Sequence, residues 1–124
     1  MRPEHVNLPS SALVEIRTTC PTEEAAAALA ARLVRERLAA CVQIDGPVCS
    51  TYAWKGRPET ATEWRCTCKT TPTRSAACAA AIAANHPYET PEIIMTPITA
   101  SAAYATWVCE SVAEDGSHDG AGCG

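Results

Sequence analysis

The run Val48–Thr70, VCSTYAWKGRPETATEWRCTCKT, decides how this chain folds. Its arms, Val48 to Lys55 and Ala61 to Thr70, are extended segments rich in β-branched and aromatic residues. Gly56-Arg57-Pro58 supplies turn chemistry between them, so the run reads as a β-hairpin. In the second arm Trp64, Cys66 and Cys68 fall on one face and Glu63, Arg65, Thr67 and Lys69 on the other, the period-two alternation of a half-buried strand. At roughly 3.3 Å per residue that arm spans about 33 Å, whereas a helix of about 15 residues covers only about 22 Å. Helices of that length leave part of the hairpin bare. Tyr52, Trp54 and Trp64 then need cover from outside the subunit, and a homo-oligomer is the simplest source.

Upstream, SALVEIRTT alternates Val14 and Ile16 against Glu15 and Arg17, a strand pattern. Cys20-Pro21-Thr22-Glu23-Glu24 turns into a helix with Thr22 as N-cap and acids in the first turn. Ala26, Leu29, Ala30, Leu33 and Val34 form its apolar face. Arg37 falls in the same sector, which predicts a packed stem with its charge at the helix end. Cys41 to Ile44 reads as a short strand broken by Gly46-Pro47. Downstream, Thr71-Pro72 opens a second helix with a proline at its first position, and Cys78, Ala81 and Ile82 share a face. NHPYETPEI, Asn85 to Ile93, ends that helix, because each proline pushes the residue before it, His86 or Thr90, into extended backbone. Glu92 to Ile98 is the last strand, and Ser101 caps a final short helix in which Tyr104, Trp107 and Val108 share a face. The order predicts an α+β ferredoxin-like βαββαβ fold with an added C-terminal helix, an antiparallel sheet with helices on one face. The domain spans 12–112, between a flexible arm over 1–11 and a disordered tail over 113–124.

Composition narrows the function. The 124 residues suit a single domain, and a net charge of −4 without blocks of like charge disfavours nucleic acid and anionic membranes as partners. The N-terminus MRPEHVNLPSSA lacks the apolar core of a secretory signal, and no run is long enough to span a bilayer, so the expected location is cytoplasmic. In that compartment the eight cysteines read as metal ligands, redox thiols or small buried hydrophobes rather than as disulfides. Cys66 and Cys68 share the face of Trp64 and read as buried packing; Cys78 reads as core, Cys49 carries no signal, and Cys123 is an oxidation-prone tail thiol. No G-x-S-x-G elbow, phosphate-binding glycine loop or H-E-x-x-H helix is present, which argues against an enzyme and against an organic cofactor. An acylphosphatase-type anion loop is replaced by Cys-Pro-Thr-Glu-Glu, and the exposed aromatics and positive surface of an RNA-recognition sheet are missing.

TTCPTEEA, RLAACV, STYAWKG, CKTT and NHPYETPEI, in that order and spacing over about residues 12 to 112, resemble the divalent-cation tolerance (CutA-like) proteins. The resemblance implies a compact homotrimer, similar in architecture to the PII signalling proteins, with strands pairing across subunits. It also implies a role in copper or heavy-metal homeostasis, with thiols near the end of the first strand and the histidine of the HPY element as metal donors. Carried onto this chain, those are Cys20 and His86, with Cys41 a lesser candidate. Some relatives have a second histidine where this chain has Asn85 and a cysteine where it has Thr18. An imidazole with one thiol is an incomplete site, so the expected affinity for Cu or another divalent metal is weak. The alternative is a PII-like signalling or scaffold trimer that takes a small ligand or protein partner in inter-subunit clefts, lined by Trp54, Lys69, Tyr88 and Glu92.

Overall fold

A computed structural model describes residues 11–114. Within them lie β1 (Ala12–Cys20), α1 (Glu23–Arg35), β2 (Cys41–Trp54), β3 (Arg57–Thr70), α2 (Pro72–Ala84), β4 (Ile94–Thr99) and α3 (Ala102–Val112). Each helix starts at a hydroxyl cap in extended backbone: Thr22, Thr71 and Ser101 accept from the N–H of Ala25, Arg74 and Tyr104 at 3.0, 3.2 and 3.2 Å. Each cap satisfies one donor that a helix start leaves open. The strands form an antiparallel sheet in the order β2-β3-β1-β4, the expected ferredoxin-like arrangement.

The helices divide between the two faces of the sheet. Leu29 and Leu33 of α1 and Cys78 and Ile82 of α2 close the main core over Ile16, Cys66 and Cys68. Leu13 is an odd number of residues from Ile16 and so points the other way; there it packs with Ala105, Val108 and Val112 of α3. The single helical face expected from the sequence holds for α1 and α2, while α3 covers the opposite side. Tyr104 and Trp107 lie with ring centroids 5.7 Å apart but remain exposed, as does Val34, because Val108 and Leu33 take the buried positions.

Several local readings change. β2 is continuous: Gly46-Pro47, joined by a cis bond, forms a register shift between Asp45 and Val48 instead of ending the strand. The hairpin turn is Lys55-Gly56, both at positive φ as a type I′ turn requires, and Trp54 pairs with Arg57 across it. Pro58 is tolerated in β3 because β1 pairs only with Trp64 to Thr70, so that stretch has an open edge. Pro97 sits on β4, the edge strand. β4 begins at Ile94 rather than Glu92. Arg37 is not helical: at φ 59 it follows the Glu36 C-cap, with Arg37 N–H donating to the Val34 carbonyl at 3.0 Å and Leu38 N–H to that of Leu33 at 2.9 Å. These are the paired bonds of a Schellman stop, here with arginine where glycine is usual.

Half of the hairpin lies beyond the helices. Arg57 to Glu63 pair with β2 alone, and Tyr52 and Trp54 are 47% and 59% exposed. Trp64 differs, since its own chain half-buries it against the main core and against Gly46, where an added Cβ would stand 2.7 Å from its Cδ1. The flexible arm and disordered tail expected at the termini lie outside the described residues, except for Ser11, Ala113 and Glu114. Those three bond to the Ala100 N–H and to the Arg37 and Arg74 guanidiniums.

Candidate functional site

The corner after α2 is built by its own polar groups. Asn85 caps the helix, its Nδ2 donating to the Ala81 carbonyl at 2.8 Å, and the chain then leaves through His86-Pro87. The His86 ring reaches back to β1, where Nε2 lies 2.9 Å from the Thr19 carbonyl, while Nδ1 accepts from Tyr88 N–H at 3.2 Å. A backbone N–H only donates, so Nδ1 is bare and Nε2 carries the proton that goes to Thr19. The Tyr88 hydroxyl donates to Glu63 Oε2 at 2.8 Å, and Glu63 is itself buried. Burial first, then the hydrogen bond and charge of Glu63, push the Tyr88 phenol up to about 12.

Cys20 ends β1 beside this corner. The sequence places it at a turn, where a side chain can be exposed; the structure buries it at 1% exposure, because pairing opposite Trp64 puts it on the inner face below α1. Diagonally across the strands it neighbours Cys66, whose thiol donates to the Ala26 carbonyl at 3.9 Å. The Cys66 thiol is held above the ordinary range, first by the neighbouring Cys20 thiol and then by burial. Cys20 moves the opposite way, lowered first by the neighbouring Cys66 thiol, against burial and the Glu63 charge. Cys68 and Cys78 are both fully buried in the main core. Cys20, Cys41, Cys49, Cys66, Cys68 and Cys78 are free thiols, with Cys41 half-buried and Cys49 exposed.

Cys20 and His86 do meet, in the wall of one cleft of roughly 420 Å3 between α1 and the end of α2, with Ala28, Leu29, Arg32 and Asn85 around them. The other four predicted residues are not gathered within one chain. Trp54 is at the hairpin tip with the Lys55 ammonium 6.0 Å from its ring, and Lys69 is at the far end of β3, bonded to Gln43 at 2.9 Å and 3.8 Å from the Glu15 carboxylate. Tyr88 faces Glu63, and Glu92 is exposed. Sequence reasoning missed Glu63, which alternation marked only as facing away from Trp64, and Thr18, a fully buried residue whose Oγ1 has no hydrogen-bond partner.

Comparison with known proteins places this arrangement. The family model of the CutA1 divalent ion tolerance proteins matches residues 14–111. The chain belongs to the CutA1 family. It is 34% identical over 104 residues to the divalent-cation tolerance protein CutA of Escherichia coli, covering 83% of this chain and 93% of that protein. Among solved structures, CutA from Xylella fastidiosa superposes with a TM-score of 0.79 at 35% identity, over 81% of this chain and 97% of that one. CutA1 from Oryza sativa gives 0.80 at 33% identity, over 84% and 96%. A CutA from Archaeoglobus fulgidus described as periplasmic gives 0.77 at 36% identity, over 81% and 98%. Among the described residues of this CutA1 relative, no helix is long and apolar enough to cross a membrane.

The donors present fit a metal only in part. Among the described residues no group of three or more His, Cys, Asp or Glu side chains converges as a metal cage. Both nitrogens of His86 are already committed, so the cleft brings together one thiol and one imidazole that must give up a bond to coordinate.

Proposed function

We propose that this CutA1-family chain acts in copper and heavy-metal homeostasis as a PII-like homotrimer in the cytoplasm. On this reading it holds copper or another divalent ion weakly at Cys20 and His86, with no organic cofactor and no catalytic reaction. The observation that carries the proposal is the meeting of Cys20 and His86, from β1 and the end of α2, in one cleft. Coordination by Nε2 sacrifices its bond to Thr19, about 1 kcal/mol, and water or a neighbouring subunit has to complete the shell. Both effects keep affinity low and favour Cu or Zn over Mg or Ca. Trimer formation is supported by the bare half of the hairpin, where Tyr52 and Trp54 stand in solvent. Light scattering should give three times the chain mass, and a monomer mass at micromolar concentration would remove the trimer. In calorimetric titration with Cu(II) or Zn(II), His86→Ala and Cys20→Ala should each lose binding while keeping the assembly. Unchanged binding in both variants would remove the metal assignment.

A second reading follows from Trp54, whose 59% exposure at the hairpin tip suits a pocket completed by another subunit. There a small ligand or protein partner would meet Trp54 of one chain and Lys69, Tyr88 or Glu92 of the next.

A further inference from the structure

The main core sets beside Cys20 a second thiol, Cys66, that the Cys20–His86 reading does not use. Strand register sets Thr18 directly opposite Cys66 and Cys20 opposite Trp64. Thr18, Cys20 and Cys66 therefore project from the same face of the sheet, with Cys66 beside Thr18 and diagonal to Cys20. All three are at most 1% exposed. Both thiols are free, the register makes them diagonal cross-strand neighbours on one face, and Cys20 also belongs to the wall of the cleft. Thr18 Oγ1 is a buried hydroxyl with no partner, an unusual state for an interior polar atom. A thiolate at either sulfur would give it an acceptor.

We propose that Cys20 and Cys66 form a two-coordinate site for a soft monovalent cation, Cu(I) or Ag(I), loaded from the cleft beside His86, with Thr18 as hydroxyl donor to the bound thiolates. Thiolate ligands select Cu(I), and a two-coordinate cation needs no third protein donor, consistent with the lack of a larger donor cluster among the described residues. Loading forms two S–metal bonds and releases the two thiol protons, which leaves one net negative charge at the site. The Thr18 hydroxyl, opposite Cys66 in the register, is the donor placed to offset part of that charge, since Arg32 in the cleft wall is already paired with Glu36 at 2.9 Å. A four-coordinate divalent ion fits poorly, because among the described residues no group of three or more His, Cys, Asp or Glu side chains converges there, and the pair is otherwise packed by the Thr18 hydroxyl, the Ala26 carbonyl and apolar side chains. The inference deepens the metal reading given above by replacing His86 with Cys66 as the partner of Cys20, and rests on that reading only for its physiological setting.

The test is anaerobic titration of the reduced full chain with Cu(I) against a chromophoric Cu(I) chelator, in a Cys41→Ser, Cys49→Ser, Cys109→Ser, Cys123→Ser background that removes the thiols outside the main core. One tightly held ion per chain is expected, with affinity falling about tenfold or more in Cys20→Ser and Cys66→Ser. His86→Ala should keep it, and Thr18→Val should weaken it less than either cysteine change. Loss in His86→Ala with retention in Cys66→Ser would overturn this inference and leave the Cys20–His86 site standing; retention in all variants would overturn both. Should the Cys66 variant fail to fold, X-ray absorption on the background protein decides. Two sulfur neighbours and no nitrogen support the pair, and a nitrogen neighbour assigns the ion to His86.

Discussion

The two halves of the β2–β3 hairpin are made of similar residues and live in different solvents. From Trp64 to Thr70, β3 is flanked by β1 and β2 and roofed by α1 and α2, so Cys66 and Cys68 are fully buried. From Arg57 to Glu63 it is flanked by β2 alone, and the aromatic pair Tyr52 and Trp54 faces water. Strand length makes the difference, because β3 has 14 residues against 13 in each covering helix, and a strand residue advances about twice as far as a helical one. One half serves the stability of the chain, and the other half is left uncovered by it.

Matched truncations should separate the halves most sharply. Ile16→Ala, in the covered half's core, should cost about 2–5 kcal/mol in urea unfolding at any protein concentration. Trp54→Ser should change the stability of the single chain by no more than about 0.5 kcal/mol while lowering the assembled mass and the concentration dependence of the thermal midpoint. Equal losses in both variants would end the distinction. Gly46 marks the joint between the halves, and Gly46→Ala drives a methyl into the Trp64 ring and toward the Glu63 carbonyl. A loss of about 1–3 kcal/mol is expected there, the usual cost of overpacking.

Tyr88 fastens the corner to Glu63, the last residue of the bare half. Its phenol titrates higher in the folded chain than in the unfolded one, so the stabilisation is complete below the ordinary tyrosine range and is lost as pH rises toward about 12. Ultraviolet titration should show this late-ionising tyrosine, absent in Tyr88→Phe. Glu63→Gln should move it only part of the way back, because burial is the larger cause. The smallest effect is expected at Arg37→Gly. Relief of the left-handed backbone, about 1 kcal/mol, is offset by loss of the Arg37 bond to the Ala113 carbonyl, leaving a net change of a few tenths in the urea midpoint.

Signals written in neighbouring residues were legible. Thr22 with two following acids, Thr71 before Pro72, and Ser101 all cap the helices they were read to cap. The alternation in β3 sorted buried Cys66 and Cys68 from outward Arg65 and Thr67 correctly. Features decided by tertiary contact were not legible. Nothing local marks Arg37 as left-handed, since its geometry is imposed by Leu38 folding back over Leu33. Lys55 carries no turn signature, so the turn was read one residue late. At the site, the sequence identified Cys20 and His86 as neighbours through a family pattern. The burial of Cys20, the Thr19 carbonyl under the imidazole and the Cys66 thiol all depend on strand register, which pairs residues far apart along the chain.

The Lys55-Gly56 turn also orders events in time. Pairing of β1 with β3 must wait for α1 and β2 to be threaded between them, and β4 joins β1 from still further along the chain. The hairpin alone can zip outward from its own turn, an event of microseconds, and its first rungs are Trp54 with Arg57 and Tyr52 with Glu59. The segment free to form earliest is thus the one that the finished chain leaves uncovered, so a nascent chain can present the face proposed for association before its own core has closed.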